Sequence, residues 1–386
     1  MPPKSHSGRA NVAVLVTTTV VLLLGAEVVL RAVYHPQYVD SVIRYDPVLG
    51  WSLKPNARLV SNDPDRGFHG HIQTNSLGLR EREVAAKKRG VRRILVIGDS
   101  AVFGSGLEAE DRFSDVLGRA LADRVEVINA GIPGWGNDQE LLFYEHTLRL
   151  LEPDVVVLTI TAYNDVVNNA LDDALLEGGT KPRFVAEGDS LRMIPAAAAS
   201  PLGFKARCKR LLRRSRLLLF VKHRLDQRRV AQRVHEDAVY APHGYESFRH
   251  LSHWSVYDTR GSDAITAAWT VTERILLRFA SDCRADSAAF FVFAIPLKLE
   301  TDAAWRAEMI RRTGVDASSL DFELPYRRLA SFCADNGIEF HYPRGEFLAA
   351  ASVGPLYFER DSHPNVRGNA IVAAWLARTL TAGSPP

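Results

Sequence analysis

Hydrophobic and polar positions change rhythm three times along this chain. Val12 to Leu30 is almost continuously apolar, broken only by a threonine cluster, Gly25 and Glu27, with Lys4 and Arg9 ahead of it. About 19 residues at ~1.5 Å each nearly match the hydrocarbon thickness of a bilayer, so the pattern predicts a transmembrane helix. From Tyr34 to about Gly90 the chain is rich in Pro, Gly, Asn and Asp and reads as a lead-in of loops and short strands. From Arg93 short, fully apolar runs alternate with amphipathic stretches. Strands are predicted at 94–97, 125–128, 155–160, 290–295 and 338–342. Helices are predicted at 113–122, 139–151, 322–336 and 366–380. Strands apolar on both faces, separated by helices, indicate a doubly wound parallel sheet in a three-layer αβα, flavodoxin-like domain. The alternation stops between about Ala170 and Asp263, which reads as a helical insertion. The organisation is therefore a tail and anchor over 1–33, a lead-in over 34–90, and a main domain over 91–382.

Composition adds little to the fold. Its 386 residues are 46% hydrophobic and 24% charged, which excludes a mainly disordered chain. Net charge is 48 − 45 = +3, too small for nucleic-acid binding by the whole chain. Cys208, Cys283 and Cys333 are too scattered for a disulfide framework or a CxxC zinc site. The N-terminal charges favour a cytoplasmic N-terminus, a single pass and a main domain outside the cytoplasm, although Arg31 and Arg44 oppose this. The alternative is a secretory signal that is cleaved, but no A-x-A cleavage site follows the apolar run beyond Leu24.

Sites on open α/β sheets form at the carboxyl ends of strands, and four segments fall at or near such ends. Ile97-Gly98-Asp99-Ser100 puts a serine directly after a strand, with Gly98 allowing a sharp turn. Neither a P-loop nor a dinucleotide fingerprint is present around it, so no cofactor is expected. Asn129-Ala-Gly-Ile-Pro-Gly134-Trp-Gly136 would let a backbone N–H approach a substrate oxygen. Tyr163-Asn164-Asp165 offers a side-chain amide to a developing oxyanion. Asp361-Ser362-His363 places a carboxylate where it can orient an imidazole. Singly, these are an N-cap serine, a turn, a helix start and a loop histidine.

Together, in this order, the four segments resemble the SGNH hydrolases, also called the GDSL esterase/lipase family, over about Arg93–Leu380. The resemblance implies that Ser100 is the nucleophile and His363 the general base. It implies an oxyanion hole from Ser100, Gly134 and Asn164. The apolar N-terminus and the Gly50-Trp-x-x-Lys-Pro-Asn56 stretch look like membrane-anchored bacterial members. There are two departures. Arg360 stands where the family commonly has its aspartate, so the acid is assigned to Asp361, with Glu359 as the alternative. Ala162 replaces the glycine of the third block. An Asp-x-His spacing is similar to that of SGNH-like proteins acting on exopolysaccharide acetyl groups.

The function implied is a serine esterase acting on an acyl, possibly acetyl, ester of a lipid or glycan. Two alternatives stay open: an O-acyltransferase on a cell-surface glycan, and a catalytically silent glycan-binding or scaffold protein. Asp99 reads as a turn-forming residue and Trp51 as a packing residue. The basic stretch from Lys205 reads as a helix with a solvated charged face, or as one resting on anionic headgroups. His243, His250, His253 and Asp258 could be offered to zinc, but without HExxH or cysteine no metal is expected. A lid over the acyl pocket is the expected role of that segment.

Overall fold

The computed structural model describes residues 7–33, 39–63, 66–121, 125–171, 180–188, 190–197, 215–218, 220–221, 224 and 252–382. Two compact units separate, one of residues 1–36 and 201–238, the other of 37–200 and 239–386.

In the smaller unit, α1 (Ser7–Val33) is apolar over most of its length. Its 23 residues Asn11–Val33 contain an 18-residue stretch that is unburied with a mean hydropathy of 2.3, long and apolar enough to cross a membrane. An N-terminal signal sequence satisfies the same criterion. Glu27 is an acidic exception within α1, paired with Arg31 at 2.8 Å one turn on. It accepts from the Ser215 hydroxyl at 2.7 Å and from the backbone N–H groups of Arg216 and Leu217 at 3.0 and 2.9 Å. Residues 216–218 and 220–221 are helical, so Glu27 caps the start of that segment. The basic stretch at 205–214 lies outside the described residues.

The larger unit begins with two antiparallel hairpins. These are β1 (Ile43–Asp46) with β2 (Gly50–Leu53), and β3 (Arg58–Asp63) with β4 (Phe68–Gln73). Along β4, Phe68, Gly70 and Ile72 are buried while His69, His71 and Gln73 are exposed, the period of two of a half-buried strand. The central elements follow: β5 (Arg92–Gly98), α2 (Ser100–Phe103), α3 (Phe113–Leu121), β6 (Val125–Gly131), α4 (Asn137–His146), β7 (Val155–Ile160) and α5 (Ala162–Ala170). A hairpin of β8 (Arg183–Glu187) and β9 (Ser190–Ile194) lies within the predicted insertion. The described part of that insertion is therefore not purely helical. The chain continues through α6 (Asp263–Ala285), β10 (Ala289–Ala294), α7 (Lys298–Thr301), α8 (Ala303–Thr313), α9 (Leu324–Asp335), β11 (Glu339–His341), α10 (Arg344–Ala351) and α11 (Val366–Ala382).

Five parallel strands form the sheet in the order β6-β5-β7-β10-β11. Numbered along the chain, that is 2-1-3-4-5, the flavodoxin-like doubly wound order. Alternate residues feed opposite layers. Ile94, Val96, Val155 and Val157 pack with Phe113, Leu117 and Leu376, whereas Leu95, Ile97, Val156 and Leu158 pack with Leu141, Ile275 and Phe279. Because both faces are covered, the strands carry the unbroken apolar runs seen in the sequence. The order reverses at β5, so its carboxyl end and that of β7 flank the switch-point crevice.

Candidate active site

The crevice is built where β5 gives way to α2. Asp99 caps that short helix, its carboxylate accepting from Ala101 N at 2.8 Å. Gly98 is required for a reason other than a sharp turn, since its φ is not among the positive values. A Cβ there would lie 1.9 Å from Thr159 Oγ1 and 2.4 Å from Val102 Cγ2. Close packing of β5 against β7 and α2 therefore excludes any side chain. At the other end, the carbonyls of Phe103 and Gly104 each accept from Arg80 Nη1 at 3.0 Å. Arg80 is 3% exposed, and burial, with Arg112 nearby, pulls its guanidinium down to about 9. The lead-in thus braces the helix that starts at Ser100. A single loop arginine carries no signal that could have announced this.

Ser100 Oγ lies 2.8 Å from His363 Nε2, across 263 positions of sequence. On the far side of the ring, Nδ1 is hydrogen-bonded to Asp361 Oδ1. The same oxygen accepts from the His363 backbone N–H at 2.8 Å. A spacing of two residues allows this double grip: the aspartate closes a turn over the very residue it orients. The network assigns the proton to Nδ1 and leaves Nε2 as the acceptor for the serine hydroxyl. Burial alone would lower the imidazolium pKa of His363. The Asp361 charge and hydrogen bond, with Asp99 farther off, outweigh it and raise it. Burial would likewise raise the Asp361 carboxyl, but the His363 charge and hydrogen bonds bring it below its ordinary range. The backbone carbonyl of Glu359 accepts from Lys298 at 2.8 Å.

Gly134 and Asn164 lie on the other two chain segments at the crevice. Ile132 N donates to Gly98 O at 3.0 Å, fastening the turn after β6 to the end of β5. Gly134 follows with φ +79°, the left-handed region that favours glycine. Asn164 Nδ2 donates to Asp99 Oδ2 at 2.8 Å. Asp99 therefore does more than form a turn: one oxygen caps α2 and the other holds the Asn164 amide. Among the described residues, the backbone N–H groups of Ser100 and Gly134 have no acceptor.

Two aromatic neighbours escaped the sequence reading. Phe68, from the lead-in, meets the His363 ring edge-to-face at 5.7 Å and Phe358 at 5.0 Å. Tyr163 stacks on His253 at 4.9 Å, and burial pushes its phenol up to about 12. Burial also pushes His253 down to about 4, and Asp258 pairs with Arg260 at 2.7 Å. His243 and His250 lie outside the described residues. Among the described residues no group of three or more His, Cys, Asp or Glu is arranged to hold a metal ion. Trp51 is buried and donates to Pro133 O at 3.1 Å, a packing role against the Gly134 turn. Behind the crevice, Asp165 and Glu140 are fully buried carboxyls, both held well above their ordinary range by burial first and by neighbouring carboxylates second.

No family profile and no curated protein matches the chain. Solved structures align over most of it. A lipolytic protein of the G-D-S-L family from Veillonella parvula is 11% identical over 76% of this chain and 100% of its own, with a TM-score of 0.39. The acetyl xylan esterase AlAXEase is 16% identical over 76% and 100%, also at 0.39. The aryl esterase of M. smegmatis is 13% identical over 76% and 99%, at 0.36.

Proposed function

We propose that this protein is a serine ester hydrolase in which Ser100, His363 and Asp361 act as nucleophile, general base and orienting acid. The observation that carries the reading is the unbroken line Ser100 Oγ–His363 Nε2, His363 Nδ1–Asp361. A serine hydroxyl is a weak nucleophile until a positioned base removes its proton.

His363 Nε2 takes the Ser100 proton as Oγ attacks the ester carbonyl. Asp361 stabilises the imidazolium that results. The tetrahedral oxyanion draws on the N–H groups of Ser100 and Gly134 and on the Asn164 Nδ2 hydrogen that Asp99 leaves free. Each such donor typically contributes ~10²–10³ in rate. His363 then returns the proton to the departing alcohol, and water, activated by the same imidazole, releases the acid. The substrate is an acyl ester of a lipid or a glycan. Residues 1–33 anchor the chain in the cell membrane by a single pass, residues 34–90 are the lead-in, and residues 91–382 form the catalytic domain outside the cytoplasm.

A fluorophosphonate probe with peptide mass mapping tests the chemistry. Labelling at Ser100, abolished in Ser100→Ala together with hydrolysis of p-nitrophenyl acetate, supports the reading; an unlabelled wild-type protein overturns it. Retention of the intact chain in carbonate-washed membranes tests the anchor.

A further inference from the structure

We propose that Lys298 is a positioning residue that holds the His363–Asp361 loop in register with Ser100; this rests on the esterase reading above. Asp361 and His363 belong to an irregular segment between α10 and α11 whose base is closed by an antiparallel bridge between Tyr357 and Pro364, with no strand or helix around the pair itself. Its backbone groups must find partners elsewhere. Phe358 N donates to His363 O at 3.1 Å, so Phe358 and His363 close the two ends of the loop that carries the acid–base pair. The carbonyls of Phe358 and Glu359 both accept from Lys298 Nζ, at 2.9 and 2.8 Å. The ammonium also lies 3.8 Å from the centre of the Trp305 ring. Lys298 is only 8% exposed. Burial lowers its pKa, although Asp302 and then Asp361 oppose that. A desolvated ammonium is costly unless its hydrogens are used, and here two carbonyls and a ring face use them.

The hold is only as firm as α7, a four-residue helix with little stability of its own. Glu300, two residues on, is fully buried and anchors it. Its carboxylate accepts from Tyr257 OH at 2.6 Å, from Tyr326 OH, from Tyr342 OH at 3.2 Å and from Leu297 N at 2.8 Å. Tyr357 ties the loop to the same turn, its hydroxyl 2.7 Å from Thr301 Oγ1 and 3.0 Å from Pro296 O. A line of rigid contacts therefore runs from three tyrosines on separate segments, through α7 and Lys298, to the imidazole. Displacing a catalytic group by about 1 Å can cost ~10²-fold in rate.

The test uses the full chain in detergent micelles, p-nitrophenyl acetate as substrate, and fluorophosphonate titration to count competent sites. Lys298→Met keeps the stem over Trp305 and removes the donors. Its kcat per titrated site is expected to fall roughly 10²-fold while KM changes less than about threefold. Lys298→Arg, which keeps charge and donors, is expected to recover to within about tenfold of wild type. If Lys298→Met keeps kcat per titrated site within about twofold and loses only melting temperature or titratable fraction, the residue is structural and the inference fails. Should Lys298→Met not fold, Lys298→Gln, one bond too short to reach both carbonyls, decides by the same measure. Ser100→Ala separates the two ideas. An inactive Ser100→Ala beside a normal Lys298→Met overturns this inference alone. Full turnover by Ser100→Ala overturns the esterase reading and this inference with it.

Discussion

Glu300 links the pH of the solution to the stability of the main unit. Burial, only partly offset by the hydrogen bonds from Tyr257, Tyr326, Leu297 and Tyr342, pushes its carboxyl from 4.5 up to about 7. In the unfolded chain the same group returns to its ordinary value. Between these limits the folded protein binds a proton that the unfolded chain has already released. Stability from this group is therefore complete below about pH 4.5 and is lost as pH rises through 7. A displacement of that size corresponds to ~3 kcal/mol, with a slope of at most ~1.4 kcal/mol per pH unit. Glu300→Gln removes the titration. The amide oxygen can still accept from Tyr257 and Tyr326, but the NH₂ then faces Leu297 N–H, a pH-independent cost of ~1–3 kcal/mol. Urea unfolding of both proteins, followed by tryptophan fluorescence between pH 4 and 8, gives two curves. Other carboxyls titrate in both and cancel in the difference. Wild type is expected to lose ~3 kcal/mol relative to Glu300→Gln across that range. Parallel curves would refute the account of a buried, late-titrating carboxyl.

The remaining predictions concern the site and its frame. Asp361→Asn removes the partner that fixes the His363 tautomer, so kcat is expected to fall ~10⁴-fold. Because Asp361 is also what raises the His363 pKa, the acid limb of kcat/KM, expected above pH 6.5 in wild type, should move to lower pH in this variant; a limb that stays put counts against His363 as the base. Asn164→Ala should lower kcat by ~10²–10³ with KM little changed, and a fall of less than about threefold would remove it from the oxyanion hole. Gly131→Ala would place a Cβ 2.1 Å from Phe103 N and 2.6 Å from Val102 C, both backbone atoms of α2. It should cost ~1–3 kcal/mol or more and lower activity, because α2 carries Ser100. Gly118→Ala, whose Cβ would meet nothing nearer than Val127 at 3.7 Å, should instead raise stability by ~0.5–1 kcal/mol. Thermal unfolding of the pair checks both signs.

The order of apolar runs is enough to specify the layered architecture and the strand ends near which Ser100, Gly134 and Asn164 lie. Strands buried on both faces need residues such as Val155–Ile160 to be apolar without a break, and that necessity is written in one dimension. The five central strands, the αβα layering and the strand-end segments carrying Ser100, Gly134 and Asn164 were legible for the same reason. Distances between segments far apart in sequence exist only once the chain has folded. That a hydroxyl and an imidazole 263 positions apart lie 2.8 Å from each other depends on the chain crossing back from the edge strand β11 to lay α11 against α3, where Phe113 N donates to Asn369 Oδ1. The Asp99–Asn164 bond does follow from the sheet order, since β5 and β7 are neighbours only once the sheet forms. Arg80, Phe68 and Lys298 were invisible beforehand because each acts through a backbone carbonyl or a ring face, neither of which leaves a periodic or motif signature. Gly98 is the mixed case. Its place in the motif was plain, but its reason, a threonine hydroxyl on the adjacent strand, exists only in three dimensions.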